Sequence, residues 1–506
     1  MKRITFLLPL FLALACTTFT PNTSPTPSDA TSPLPVVDPS EETLPPTSTE
    51  PAPATPPLGT PPAASLTETA APASTPLPTT SSVLGPWLVI ITPDGAWVLN
   101  ADGTGIARVV SAPILAPQNT FAMPAPRGGF AAFITGDSRL RDLTLHILTL
   151  PRNLTRTIPL VAPDYAVQTD TLPGDPELEA ARALVELTSL AWSPDGNLLA
   201  FMGMREGPTS DLYTFAMDEF WAVTPEDGEE GFTRWTDGPS QGILPSWSPD
   251  GRYILHAGVN TLGTGAGYDM AGVWAADTQT GEVLDLYAPN DGAEIFVGWL
   301  DAQTFLVHSW SPVCGNENLR AFDIETGEVR VLWEGAFNGV AFDPGSSGVL
   351  ITSEQFLADC MPGGQAGAVY LPAGGPASLM LTDQDAFIPV WDATGQVFFF
   401  RTSDQVFAAW PNGFANVVPA PGMSLPSASV DGKFVWALPS GVWVGAADKE
   451  PRQIFSRPAS LPVWSPDGQY LFFVAEEGLF VAHAPDFVPE LVGEGVFGTG
   501  AFWVRP

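Results

Sequence analysis

The sequence predicts an all-β fold, a single β-propeller of about eight (seven to nine) four-stranded blades, after a disordered stalk rich in Pro, Thr and Ser. Three observations predict it. The pentapeptide W-S-P-D-G occurs three times, a short apolar run follows each copy, and turn signals recur between the runs. Complete and looser copies follow one another at roughly 35 to 55 residues, the period of propeller blades.

The pentapeptide has a legible physical role. Pro presets φ for a turn, Asp caps the turn, and Gly takes the conformation that other residues avoid. We therefore expect the Trp before the turn and the aromatic residue after it to lie on flanking strands and to fill the space between adjacent sheets. Complete copies span residues 192–196, 247–251 and 464–468. Looser copies span residues 298–301, 341–345, 390–395 and 428–432.

A second hairpin signal follows in most units, at residues 100–103, 277–282 and 323–328. Residues that favour strands alternate on both sides of it, as in 329–332. Each unit is thus predicted to hold four strands, with a tight turn after the first strand and another before the last.

These repeats resemble those of the TolB-like, WD-type propellers, whose hallmark is W-S-P-D-G followed by an aliphatic-aromatic strand. The resemblance covers most of residues 85–506 and implies a β-propeller there. It implies no particular activity, because propellers host many activities.

The two ends of the repeat region suggest how the ring closes. Residues 500–504 look like a first strand with no successors, and residues 87–110 look like a blade that lacks its first strand. Together they would complete one blade, which also removes exposed sheet edges. With a degenerate slot near residues 125–129 the count is nine, and eight follows if one slot is misread. A short helix is expected over residues 176–187.

The N-terminal part predicts export and a tether. Lys2 and Arg3 precede an apolar run that is too short to cross a bilayer, so residues 1–15 are interpreted as a signal peptide. Cys16 follows directly, as in a bacterial lipobox, and is predicted to be lipidated. The alternative is an ordinary cleavage site before an unmodified Cys16.

Residues 16–84 are mostly Pro, Thr, Ser and Ala, without Lys or Arg, and are expected to stay disordered and extended. The predicted location is extracytoplasmic, with the chain lipid-anchored to a bacterial membrane and facing the cell surface or the periplasm.

The charge balance excludes one class of partner. Asp plus Glu number 55 against 20 Lys plus Arg, for a net charge of −35. Phosphate recognition needs a basic face, so no nucleic-acid partner is expected. With 4 His and 3 Cys in the chain, no metal or other cofactor is expected either.

Two histidines nevertheless occupy equivalent places. His256 and His308 each lie nine residues after the Trp of their unit, in consecutive units. A metal between blades is one interpretation. The other is a pair of buried histidines, because other units place Phe201, Phe400 and Phe473 at this position.

Cys314 and Cys360 follow the predicted second strand of consecutive units, so they should lie in equivalent loops. A disulfide between neighbouring blades is expected in an oxidising compartment. The alternative is two free thiols whose loops are too far apart. Three long loops of this type, residues 310–318, 357–367 and 260–267, are candidates for recognition.

Two further motifs carry weaker predictions. Residues 238–242 match G-x-S-x-G, but the hydrolase elbow needs a strand before and a helix after, and an inter-blade loop is favoured. The acidic residues 225–230 lack the alternation of a calcium loop and are interpreted as a solvated turn.

Three functions remain open. The first is a surface-tethered, non-catalytic propeller that binds a protein, peptide or glycan. The second is a propeller-type carbohydrate-active enzyme with carboxylates near the axis. The third is a structural spacer in the envelope. An apolar or aromatic patch on one rim would favour binding, converging acids would favour the enzyme, and uniformly polar rims would favour the spacer.

Overall fold

The computed structural model describes residues 85–506, apart from 116–123, 138, 151–153, 169, 171–174, 187–188, 219–231, 237–240, 263–267, 288–292, 312, 343–347, 361–363, 373–377, 393–396, 411–414, 419–424 and 447–448. The predicted signal peptide, Cys16 and the linker to residue 84 lie outside the described residues. So do the acidic segment 225–230 and residues 238–240 of the G-x-S-x-G match.

The described residues form a nine-bladed β-propeller of antiparallel sheets. The strands follow one another across each sheet in chain order, except that β36 joins blade 1 beside β1 and β19 pairs with β17 in blade 5.

Blade by blade the strands are β1 (Trp87–Thr92), β2 (Gly95–Asn100) and β3 (Ala107–Val110); β4 (Phe130–Thr135), β5 (Thr144–Thr149) and β6 (Leu154–Pro159); β7 (Leu190–Trp192), β8 (Leu198–Gly203), β9 (Asp211–Ala216) and β10 (Thr233–Arg234); β11 (Gln241–Trp247), β12 (Tyr253–Leu262), β13 (Tyr268–Asp277) and β14 (Val283–Tyr287); β15 (Ala293–Trp299), β16 (Thr304–Ser311), β17 (Gly315–Asp323) and β18 (Val329–Val331), with β19 (Ala336–Phe337) beside β17; β20 (Gly339–Phe342), β21 (Val349–Ser353), β22 (Gly367–Leu371) and β23 (Leu379–Thr382); β24 (Phe387–Trp391), β25 (Phe398–Arg401), β26 (Val406–Ala409) and β27 (Ala415–Val418); β28 (Ser427–Ala428), β29 (Lys433–Leu438), β30 (Gly441–Ala446) and β31 (Lys449–Phe455); β32 (Ala459–Trp464), β33 (Tyr470–Ala475), β34 (Gly478–His483) and β35 (Val488–Glu494); and β36 (Gly500–Val504). Among the described residues, the helices α1 (Pro176–Glu186) and α2 (Gln355–Ala358) and a 3₁₀ turn (Pro163–Tyr165) lie between strands.

The nine sheets decide the blade count in favour of nine over eight. Blade 2 is the degenerate unit, because its described residues form three strands, β4 to β6, and two isolated bridges to β4, Ile114 to Thr135 and Pro124 to Ala131, in place of a first strand. The slot predicted near residues 125–129 is therefore a blade whose innermost strand is reduced, in its described part, to two isolated bridges. Helix α1 lies where the sequence predicts it.

The last strand closes the ring, as predicted. β36 pairs antiparallel with β1, from Trp87 opposite Val504 to Ile91 opposite Gly500, so blade 1 takes its first strand from the C-terminal end. Val504 is fully buried in this blade. The closure joins residues about 400 positions apart and gives blade 1 four strands, in the order β36, β1, β2 and β3.

The pentapeptide forms a repeated hydrogen-bonded turn between the first and second strands. The Ser hydroxyl donates to the Asp carboxylate two residues on, at 2.6 Å for Ser193 and for Ser248. The first N–H of the next strand donates to the same Ser oxygen, at 2.9 Å from Leu198. Gly196 has φ of +71°, which only Gly adopts without strain.

Residues 428–432 make the same turn although Val430 stands in place of Pro. Lys433 N–H donates to Ser429 Oγ at 3.0 Å, and Gly432 has φ of +78°. Ser, Asp and Gly therefore suffice for this turn, which confirms the looser copy.

The repeated Trp joins one blade to the previous one. Its indole Nε1 donates to the carbonyl of the first strand of the preceding blade, from Trp247 to Ala191 at 3.0 Å and from Trp299 to Ser246 at 3.1 Å. Trp464 makes the same bond to Ser427 at 3.2 Å. The prediction that these rings fill the space between sheets is confirmed, and the hydrogen bond fixes how far neighbouring first strands are offset.

A second repeat, which the sequence analysis missed, lies just before three of these Trp positions. It has an aliphatic residue, Pro, a variable residue and Trp, in residues 244–247, 388–391 and 461–464. The aliphatic residue has positive φ, +56° at Leu244 and +50° at Ile388 and at Leu461, and the pairing register shifts there. These first strands are sheet edges, where Pro and bulges are tolerated and prevent further pairing.

Candidate functional site

Two neighbouring loops present large apolar side chains to solvent. Trp310 lies at the end of β16, Val313 lies in the loop that follows it, and the connection between β21 and β22 carries Phe356. Their exposed fractions are 39%, 78% and 67%, respectively. We call Trp310, Val313 and Phe356 the apolar patch. Aromatic side chains exposed on a rigid rim are the kind of group that binding sites use as anchors.

A disulfide and a small core hold these two loops together. Cys314 and Cys360 form a disulfide between blades 5 and 6, with their Cα atoms 5.8 Å apart. Cys314, Ala336 and Leu357 form a buried cluster with Cys360 packed against it. Each loop therefore has a fixed support directly beneath the exposed residues, since Val313 precedes Cys314 and Phe356 precedes Leu357.

Backbone pairing adds a second support. β19 pairs with β17, with Asn316 opposite Phe337, and the N–H of Gln355 at the start of α2 donates to Asp385 Oδ1 at 2.7 Å. Asp385 belongs to the connection that leads into blade 7. Loops of three consecutive blades are thus tied together around the apolar patch, which lowers the entropy lost on binding.

Carboxylates lie on the same segments of the fold as the patch. Strands alternate in direction, so the loops between second and third strands and the connections between blades emerge on the same face. The acidic residues on these segments of blades 5 and 6 form what we call the acidic rim: Glu317, Glu334, Glu354, Asp359, Asp383 and Asp385. The patch is therefore an apolar surface with an anionic border.

His256 and His308 are both buried and both contact aromatic rings. His256 on β12 and His308 on β16 are 3% and 6% exposed. The His256 ring stacks on Trp274 at 6.0 Å, and the His308 ring meets Phe337 edge-on at 5.4 Å. Nδ1 of His308 lies 2.9 Å from the Ser309 carbonyl oxygen. Within the part of the chain that the structure describes, no group of three or more His, Cys, Asp or Glu is arranged to hold a metal.

Replacing His256 by Phe is expected to reduce the acid sensitivity of the protein. Burial lowers the pKa of His256 to about 4, whereas the pKa of an unfolded His is about 6.5. Between these pH values the unfolded chain binds a proton that the folded chain excludes, so folding stability falls as the pH falls. The loss reaches about 3 kcal/mol near pH 4.

Phe fits this position because Phe201, Phe400 and Phe473 occupy its equivalents and are fully buried. Urea unfolding of His256→Phe between pH 7 and pH 4 should therefore show a shallower decline than the wild type. Burial also lowers the pKa of His146 to about 4. His146→Phe is therefore the matched variant, and it should remove a separate part of the decline in folding stability between pH 7 and pH 4. Parallel curves for wild type and His256→Phe would contradict the expectation.

An apolar cavity of about 780 Å³ lies where the first strands of neighbouring blades converge. Its walls come from the Trp motifs of blades 3 to 5, with contributions from blades 2 and 6: Trp192, Trp247, Phe296, Trp299 and Phe342 are the large ones. The lining residues include no Asp, Glu, His, Lys or Arg. Ser246 has therefore no base beside it in this cavity, and the carboxylate pair expected of a glycan-cleaving enzyme does not line it.

The G-x-S-x-G match runs into a strand. Gln241 and Gly242 are the first residues of β11, whereas a nucleophile elbow requires a helix after the Ser. The described part of the match agrees with the inter-blade interpretation. Neither α1 nor α2, the helices among the described residues, is long and apolar enough to cross a membrane.

Comparison with known proteins agrees with the fold. No protein-family model matches the chain. A curated relative, the uncharacterized peptidase YuxL from Bacillus subtilis (strain 168), is 41% identical over 68 residues, which is 13% of this chain and 9% of the relative. The match thus spans less than a tenth of that protein's length.

Solved structures resemble the chain more widely but at low identity. A crystal structure described as the eukaryotic initiation factor is 13% identical, with a TM-score of 0.53, over 83% of this chain and 98% of that one. TolB from Acinetobacter baumannii is 14% identical, with a TM-score of 0.28, over 74% and 82%. The chain is a nine-bladed β-propeller, and the likeness to solved structures concerns the fold alone.

Proposed function

We propose that this propeller is a non-catalytic binding protein of the cell envelope, which holds a protein or peptide partner at the apolar patch. The observation that carries the proposal is the exposure of Trp310 at the end of β16 and of Val313 and Phe356 on the two loops joined by the Cys314–Cys360 disulfide. A uniformly polar rim, as expected of a spacer, is not what these loops present. Three apolar side chains on two joined loops suit an apolar peptide segment better than a sugar ring, which also needs polar partners.

The proposed location rests on two arguments. The first is the predicted signal peptide with Cys16 and its Pro-rich linker, which would tether the propeller to a membrane through a lipid. The second is the disulfide, which persists in oxidising compartments such as the periplasm. In this proposal the linker holds the binding face at a distance from the membrane.

Peptide hydrolysis is the competing candidate, because the curated relative is called a peptidase. A hydrolase of that kind pairs a nucleophile with a base that a third group orients. The described cavity offers Ser246 without such a base, and the described residues around the patch offer carboxylates without a histidine at the surface. Binding is therefore the function that the geometry supports better.

Selection of peptides on the full chain tests the proposal. A random-peptide phage library would be enriched on the wild type, and each enriched peptide measured against Trp310→Ser/Phe356→Ser. Removing two aromatic anchors should weaken binding at least about tenfold. The matched control is Val488→Ser/Leu491→Ser, which removes two exposed apolar side chains from the outer strand β35 of blade 9. Enriched peptides that bind both variants equally would contradict the proposal.

A further inference from the structure

We propose that the partner held at the apolar patch is a cationic amphipathic peptide segment, with Lys or Arg on one side and large apolar residues on the other. The inference rests on the proposed function and names the chemistry of its partner. It is carried by the position and the uncompensated charge of the acidic rim.

The acidic rim lies on the same face as the patch and on the same segments. Glu317 lies in β17, which begins directly after Cys314. Glu354 and Asp359 flank α2, which carries Phe356. Glu334 lies just before β19, and Asp383 lies on the connection into blade 7. The apolar patch therefore has carboxylates on both of its loops and on the connections beside them.

Neutral groups, not cations, hold the rim carboxylates that have defined partners. Asp385 accepts the Gln355 N–H, Asp359 accepts the Gln355 side-chain amide at 2.8 Å, and Glu317 accepts the Ser311 hydroxyl. These bonds fix the direction of the carboxylates but leave their negative charge in place.

Basic residues are scarce in this part of the chain. Residues 301–390 contain no Lys, and their only Arg residues are Arg320 and Arg330. Arg320 donates to Ser309 Oγ at 3.1 Å, within the blade, and Arg330 lies on the outer strand β18. The border of the patch thus keeps a net negative charge that a partner has to match.

Such a surface selects for two properties together. Apolar side chains of a partner that are buried against the patch stabilise the complex. The acidic rim repels anionic partners and attracts Lys and Arg at its edge. The net charge of −35 adds long-range attraction for cationic segments, which raises the association rate at low salt. An acidic or purely apolar segment satisfies at most one of these conditions.

Two synthetic peptides on the full chain test the inference by fluorescence anisotropy. One is an amphipathic helix of about 18 residues with Leu and Trp on one face and Lys on the other, and its counterpart has Glu at every Lys position. The Lys peptide should bind at least about tenfold more tightly at low salt, and the difference should shrink as salt is added.

Local charge is separated from total charge by matched variants. Glu334→Gln/Asp359→Asn/Asp383→Asn removes three exposed carboxylates of the acidic rim. Glu282→Gln/Asp285→Asn/Glu328→Gln removes three exposed carboxylates from turns and an outer strand of blades 4 and 5 away from the patch. The first triple should weaken the Lys peptide about three- to tenfold and the second less than about twofold.

The outcomes distinguish the two proposals. If the Glu peptide binds as tightly as the Lys peptide, and both lose binding in Trp310→Ser/Phe356→Ser, the docking surface stands and the cationic partner is wrong. Equal weakening by both charge triples also overturns the inference, since only long-range charge would then matter. If Trp310→Ser/Phe356→Ser leaves both peptides bound, the patch is not the site and both proposals fall.

Discussion

Deleting residues 500–506 is expected to abolish the cooperative unfolding of the propeller. β36 pairs with β1 and buries Val504 fully and Phe502 to nine-tenths. Its loss removes the burial of these two side chains, which stabilises the fold by about 1.5–3 kcal/mol each, and the backbone hydrogen bonds to β1. The sum is more than about 5 kcal/mol, which is comparable to the whole stability of an ordinary domain.

Calorimetry and near-UV circular dichroism would report the loss as a missing unfolding transition. A rescue variant provides the control. It moves residues 500–506 to a position between Leu84 and Gly85, with two added glycines, so that the strand precedes β1 directly. The paired residues Val504 and Trp87 are then separated by a turn as long as the one between Trp192 and Leu199. A deletion variant that unfolds like the wild type would show that β36 does not close the ring.

Replacing both Cys314 and Cys360 by Ser is expected to lower the free energy of unfolding by about 2–4 kcal/mol. The disulfide closes a loop between residues 46 positions apart, and a cross-link of this span removes much of the chain entropy of the unfolded state. Urea unfolding of the oxidised wild type against the double variant measures the difference.

Wild type treated with dithiothreitol is the matched control for this variant. Reduction breaks the same bond without changing the packing of Cys314 against Ala336 and Leu357, so its unfolding curve should approach that of the double variant. Thiol titration confirms that the bond was opened. A stability difference below about 1 kcal/mol in both comparisons would show that the two loops are held by their core and hydrogen bonds instead.

The sequence was informative about the repeating parts of the molecule because their causes are local. Asp250 and Gly251 dictate a turn through bonds that span a few residues, and every complete copy forms the same turn. The ring closure was also predictable, because an unmatched first strand and an incomplete blade can satisfy each other only by pairing. The bulge at Leu244 was missed, although residues 388–391 and 461–464 repeat its signal.

What the sequence by itself determined is therefore the propeller, its four-stranded unit and the position where it closes. Only the tertiary structure decided that, among the described residues, blade 2 has two isolated bridges in place of its first strand. It also decided that Trp310, Val313 and Phe356 stay exposed while the adjacent Cys314 and Leu357 are buried. The physical reason is the distance along the chain between the residues that interact. Turns and strands follow from neighbours in the chain, whereas exposure at a rim depends on which loops of separate blades meet there.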